Sequence, residues 1–235
     1  MKKLTLSTLL LSLALSSSLN AKVDSIYVDK NTKYSAEVVP QNMSVSQKKQ
    51  RFRDLFVPAI DKVYDELSKQ YKETRLLVEK NPNSSQVKKL MQSYGASDAK
   101  DLLKRIKPHP KSIALSQAAM ESSWGTSRFF KVAKNSFGVW SFDPNEPRVP
   151  AAQKRGNKTI WLKKYESIAD SIRDYYKVLA TSRAFEGFRN LKMRTDNPHE
   201  LVKKLDKYSE KGAEYGKELS AMIRYNRFNE FDSLK

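Results

Sequence analysis

The 235-residue chain has no cysteine and only two histidines. The first absence excludes disulfides, thiolate nucleophiles, iron–sulfur clusters and cysteine-ligated zinc, and the second leaves no three-histidine metal site. Metal chemistry would have to rest on carboxylates, and no metal or cofactor is expected. Acids are scarce too: 26 Asp and Glu stand against 44 Lys and Arg, a formal charge of +18. Hydrophobic residues reach only 39%, yet 3 Trp, 11 Tyr and 10 Phe supply enough core formers to exclude a wholly disordered chain. The length fits one domain of ordinary size, with or without a helical appendage.

Residues 1–21 differ from the rest. Lys2 and Lys3 form a basic start, Leu4 to Leu15 are mostly apolar, and Ala21 ends a stretch of small and polar residues. This is the pattern of a secretory signal peptide, with an uncleaved N-terminal anchor as the alternative. The apolar run is short and rich in Ser and Thr for a membrane span. No cysteine follows to carry a lipid. Two lysines and no acids leave with the segment, so the remainder from Lys22 carries +16. An exported chain this basic is expected to meet a polyanion outside the cytoplasm, cell-wall polymer or an anionic membrane surface rather than nucleic acid. Without a lipidation or sorting motif or wall-binding repeats, the periplasm is the expected location, with secretion as the alternative.

Residues 22–44 are polar and aperiodic and predict an extended arm. From Ser46, Phe52, Leu55, Phe56, Ile60, Val63, Leu67, Tyr71, Thr74 and Leu77 recur at spacings of three and four, one face of a long helix with Pro58 as a candidate kink. Ser84 or Ser85 and then Ser97 open two shorter helices, which fill an N-terminal helical region of 45–107. Pro108-His-Pro110 punctuates the start of a catalytic domain expected over 108–226, with 227–235 as a tail. The Arg155-Gly-Asn-Lys158 turn lies between two β-capable runs and predicts a hairpin. Ser167 with Asp170 predicts a capping box. Two more helices are expected near 198–205 and 210–225. Helices around one hairpin make an α+β, mostly α fold.

Glu121 carries the strongest chemical signal. It lies near the C-terminal end of a helix in which Ile113, Gln117 and Glu121 follow at i+4, where the negative end of the helix dipole disfavours its ionised form. Met120 and Trp124 are placed to exclude water. Both effects raise the pKa of a carboxyl, as a general acid for glycosidic oxygen requires.

The string Ala114-Leu-Ser-Gln-Ala-Ala-Met-Glu121-Ser-Ser-Trp-Gly-Thr126, followed by Asn135-Ser-Phe-Gly-Val-Trp140, closely resembles the FlgJ and Bax type of peptidoglycan N-acetylglucosaminidase domain, glycoside hydrolase family 73. The likeness continues through Lys164-Tyr165 and Tyr208-Ser-Glu-Lys-Gly-Ala-Glu-Tyr215. The long helix and the Pro-His-Pro stretch point to the Bax-like branch. It implies a lysozyme-like fold, a groove between a helical body and a hairpin lobe, with an N-terminal helical extension. It also implies a monomer acting on peptidoglycan glycan strands, with Glu121 as acid/base. Trp124 shapes the surroundings of that acid, Asn135, Phe137 and Gly138 form the turn below the groove, and Tyr208 faces the cleft. Trp124, Asn135, Tyr208 and Arg155 are the expected substrate contacts. His109 and His199 are expected in surface or capping roles.

One departure stands out. Many members of that family carry a second glutamate in the hairpin, yet Pro147 to Tyr165 contains no acid. Glu146 and Asp143, in a loop with no evident support, are the remaining candidates for a second carboxylate. The alternative is attack by the 2-acetamido group of the substrate. Cleavage between GlcNAc and MurNAc is the expected activity. A lytic transglycosylase and a non-catalytic wall-binding scaffold are the alternatives.

Overall fold

A computed structural model describes residues 34–155 and 158–233, without the side chains of 152–158. The signal peptide and the start of the arm lie outside the described residues.

The predicted long helix is α1, Val45–Lys80, opened by a capping box between Ser44 and Gln47 and running through Pro58. Its predicted stripe is real: Phe52, Phe56, Ile60 and Val63 are almost wholly buried. They join the same core as the later helices, so α1 is built into the catalytic body. Helices α2, Ser85–Tyr94, and α3, Ala99–Ile106, make a smaller cluster around Val87, Leu102 and Ile106. Ser84 caps α2 as expected, whereas the cap of α3 is Asp98 rather than Ser97, because the Asp98 carboxylate accepts from the Asp101 amide.

Helix α4, Lys111–Glu121, runs through the centre, with every residue from Lys111 to Ala119 buried. Ala114, Ala118, Ala119, Ser112 and Ser116 keep its surface shallow, so α1 and a later helix, α9 (Ala213–Asn226), both pack on it. A helix closed in on all sides has no polar face to offer water. Its first turn has no cap of its own at Pro110, and Asp232 accepts the Ser112 amide at 2.8 Å instead. That acceptor sits in the 3₁₀ turn Phe228–Asp232, whose Phe228 is buried. Residues 227–235, expected as a tail, therefore include part of the core.

After α5, Arg128–Ala133, capped by Ser127, the chain enters the predicted hairpin. Strands β1, Arg148–Arg155, and β2, Lys158–Lys163, pair antiparallel with Arg148 opposite Lys163 and Arg155 opposite Lys158. A bulge separates Pro150 from Lys154. Residues 139–141 add to the other edge of β2: the Ser141 amide donates to Trp161 and the Lys163 amide to Val139. Helix α6, Ile168–Thr181, has the predicted Ser167–Asp170 capping box. Helix α7, Glu186–Leu191, was not legible in the sequence, and α8, Pro198–Leu201, is shorter than expected. Gly216 lets α9 approach the 3₁₀ turn Val202–Lys204 that follows α8: a Cβ there would lie 2.8 Å from the Val202 carbonyl oxygen. The result is an α+β, mostly helical body with one hairpin lobe.

Candidate active site

Glu121 is the last residue of α4. The turn beyond it is held in an uncommon conformation: Ser123, Trp124 and Gly125 have φ of 52°, 61° and 71°. Two consecutive non-glycine residues in the left-handed region store strain of order 1 kcal/mol each. The surroundings impose it. Ser122 Oγ donates to the Ala118 carbonyl and accepts the Gly125 amide, and the Trp124 amide donates to Ala119. From inside, the fully buried Arg51 donates to the Gly125 carbonyl at 2.8 Å. The same guanidinium holds the Ser35 and Val38 carbonyls at 2.5 and 3.1 Å, so it ties the N-terminal arm to the turn. Burial lowers the Arg51 pKa from its ordinary value. Trp124 leans edge-on against Phe52 at 5.2 Å with Lys49 over its ring. It thus clamps the turn onto α1.

The Glu121 carboxyl is half-buried, and Tyr215 from α9 donates to its Oε1 at 2.8 Å. Desolvation pushes its pKa from 4.5 to about 7, against the smaller opposing effects of the Tyr215 hydrogen bond and the Lys211 charge. Glu218 raises it slightly further. Lys211 and Glu218 bind each other at 2.7 Å, so neither acts as a lone charge. Behind Tyr215 its ring stacks parallel to Tyr208, centroids 5.5 Å apart. The carboxyl is thus a neutral proton donor in mildly acidic solution, braced by a tyrosine.

Glu146 has other partners. It faces Lys163 at 3.4 Å, and Lys163 also holds Asp174 at 3.1 Å, which accepts from the Tyr165 hydroxyl at 2.7 Å. The loop expected to lack support therefore has one. These residues line a cleft of about 790 Å³ between the hairpin base, α1, α3 and α6, whose walls do not include Glu121. Asp143 is exposed and accepts the Asn145 amide.

The family model described as mannosyl-glycoprotein endo-beta-N-acetylglucosaminidase matches residues 96–228, more than half of the chain, including Glu121, the turn beyond it and Tyr215. The chain belongs to this glucosaminidase family. It is a glycoside hydrolase. It is 28% identical to Protein bax of Escherichia coli (strain K12) over 132 residues, 54% of this chain and 46% of that protein, so the match spans about half the length of that relative. Among solved structures it is similar to the catalytic domain of the autolysin Auto from Listeria monocytogenes, with TM-score 0.47 and 17% identity over 81% of this chain and 90% of that one. It is also similar to the FlgJ glycoside hydrolase domain of Salmonella typhimurium, with TM-score 0.40 and 16% identity over 59% and 97%.

Within the glucosaminidase domain the expected contact residues take different places. Asn135 is buried, and its amide binds the Val139 and Lys163 carbonyls at 2.9 Å and the Val139 amide at 3.0 Å. All three bonds close the turn and fasten it to β2, which leaves the side chain positioned for structure rather than for a sugar. Tyr208 is buried rather than open to a cleft, its hydroxyl donating to the Phe137 carbonyl at 3.3 Å. Phe137 packs on Tyr175, ring centroids 4.0 Å apart. Arg155 ends β1, and its side chain lies outside the described residues. His109 is not on the surface: its ring is buried against Tyr176 at 4.3 Å, with Nδ1 bonded to the Pro110 carbonyl, and burial lowers its pKa to about 3. His199 Nδ1 meets Ser220 Oγ at 2.7 Å. Tyr215, Gln117 and Arg51 are the residues that the sequence did not single out as partners of the site. Among the described residues no three His, Cys, Asp or Glu side chains gather to hold a metal, and no helix is long and apolar enough to cross a membrane.

Proposed function

We propose that the protein is an exported peptidoglycan hydrolase that cleaves the β-1,4 bond between GlcNAc and MurNAc, leaving GlcNAc at the new reducing end. The observation that carries this reading is the half-buried Glu121 carboxyl, held by Tyr215 and raised to about 7 by desolvation, inside a glucosaminidase domain. Neutral Glu121 gives its proton to the glycosidic oxygen as the C1–O bond breaks. The carbonyl oxygen of the 2-acetamido group bonds to C1 in its place. Ionised Glu121 then takes a proton from water, the water oxygen bonds to C1, and the acetamide is released. Support for substrate assistance comes from the partners of Glu146: its carboxylate pairs with Lys163 and lines a cleft whose walls do not include Glu121.

Glu146→Gln and Asp143→Asn are each expected to retain most activity, whereas glycan lacking the N-acetyl group on the cleaved GlcNAc resists the enzyme. A loss in either variant approaching that of an acid knockout, measured as reducing sugar released, would replace assistance by a two-carboxylate mechanism.

The excess of basic residues supports attraction to an anionic wall. Pelleting with purified sacculi is expected to weaken from 0.1 M to 1 M salt, as the Debye length shrinks from about 10 Å to about 3 Å. Cleavage of a short neutral oligosaccharide changes far less; salt-independent pelleting would assign binding to groove contacts instead. The reaction itself is tested by reducing the digestion products with borohydride and analysing them by mass spectrometry. Reduced GlcNAc termini are expected. MurNAc with an internal anhydro ring would make the protein a lytic transglycosylase, and intact sacculi would make it a binding scaffold.

A further inference from the structure

Glu121 ends a line of hydrogen bonds whose direction is set. The Tyr175 hydroxyl donates to Gln117 Oε1 at 2.6 Å, Gln117 Nε2 donates to the Tyr215 hydroxyl at 3.0 Å, and Tyr215 donates to Glu121 Oε1 at 2.8 Å. Gln117 lies one helical turn before Glu121 on the same face of α4 and is fully buried. Stacking fixes both rings, Tyr175 on Phe137 and Tyr215 on Tyr208.

An amide nitrogen only donates and an amide oxygen only accepts, whereas a phenol can do either. With the Gln117 N–H aimed at its oxygen, Tyr215 has one proton and one place to send it, Glu121 Oε1. A proton on Oε1 would weaken that oxygen as the acceptor of the Tyr215 donor, so the bond favours the proton on Oε2. Among the described residues no hydrogen bond occupies Oε2.

We propose that Gln117 is a positioning residue of the glycosidase reaction: it polarises Tyr215 so that the acidic proton of Glu121 resides on Oε2, the oxygen that delivers it. The groups facing this carboxyl are Tyr175 from α6, Tyr208, the Lys211–Glu218 pair, and Tyr215 from α9. Burial holds all three tyrosines well above their usual range, so they stay protonated donors throughout the working pH. The inference rests on the reading of Glu121 as the acid.

The test is the upper limb of the kcat/KM against pH profile, which reports the acid of the free enzyme. Gln117→Met is expected to lower kcat about tenfold with KM within about twofold, because the donor is no longer aimed. Its upper limb moves up by about half a pH unit or more, since Tyr215 no longer favours the ionised carboxyl. Tyr215→Phe keeps the ring stack and moves the limb the same way. The double variant moves it no further, because Gln117 acts through Tyr215. Gln117→Leu serves if the Met variant does not fold. A limb in the wild-type place, or additive shifts, would overturn the positioning role. An inactive Glu121→Gln beside an unmoved limb overturns the positioning alone, whereas an active Glu121→Gln overturns the reading beneath it.

Discussion

Glu121→Gln is expected to lose at least about a hundredfold in cleavage and, above pH 7, to be the more stable protein. The first effect follows from removing a general acid, which contributes about 10² to 10⁴ in rate. The amide keeps the shape, and its oxygen still accepts from Tyr215. The second effect follows from linkage. The folded-state pKa of Glu121 is about 7 against an ordinary 4.5, so between those values the native state holds a proton that the unfolded chain has released. Stability therefore falls as pH rises from 4.5 to 7, and the full penalty, about 3 kcal/mol, applies above 7. An amide does not ionise and escapes it. Urea unfolding of both proteins at pH 4 and pH 8 checks this: the advantage of the variant should be small at the lower pH and near its maximum at the higher. A difference that does not change with pH would mean that Glu121 titrates like a solvated glutamate.

Arg51→Met is expected to destabilise the fold by about 3 kcal/mol and to lower cleavage as well. The guanidinium serves the Ser35, Val38 and Gly125 carbonyls from a fully buried position, and each acceptor left unpaired costs about 1 kcal/mol or more. The loss reaches the chemistry through the turn. Ser123 to Gly125 keep left-handed φ values next to Glu121 only while their surroundings hold them. Arg51→Lys should rescue little, because one ammonium lacks the planar fork that reaches three carbonyls. Urea unfolding gives the stability, and hydrogen exchange at the Gly125 and Thr126 amides shows whether the turn has loosened. Exchange that stays as slow as in the wild type would detach Arg51 from the site.

What could be read from the sequence was local or periodic. The α1 stripe is written at helical spacing, and the caps at Ser84 and Ser167 need only a side chain and an amide three residues on. Glu121 was legible because its helix end, its turn and the motif around it are contiguous. Its partner was not. Tyr215 is 94 residues away and meets Glu121 only when α9 packs on α4, so no spacing announces the bond. Arg51 sits in a run of basic and polar residues that looks solvated, and its burial depends on an arm and a turn that converge from both sides. His109 misleads in the same way: between two prolines it reads as exposed punctuation, whereas Tyr176 from α6 covers its ring. Asn135 and Tyr208 read as substrate contacts in the sequence, but the atoms they touch, backbone carbonyls of β2 and of Phe137, become visible only in three dimensions.

The proposed reaction requires Glu121 to be a neutral acid in mildly acidic solution. The direct measurement is a ¹³C NMR titration of the glutamate carboxyls in the full-length protein, with the Glu121 resonance assigned by its absence in Glu121→Gln. A midpoint near 7, well apart from the exposed glutamates, is the predicted result. A midpoint at the ordinary 4.5 would contradict it and leave the site without its acid.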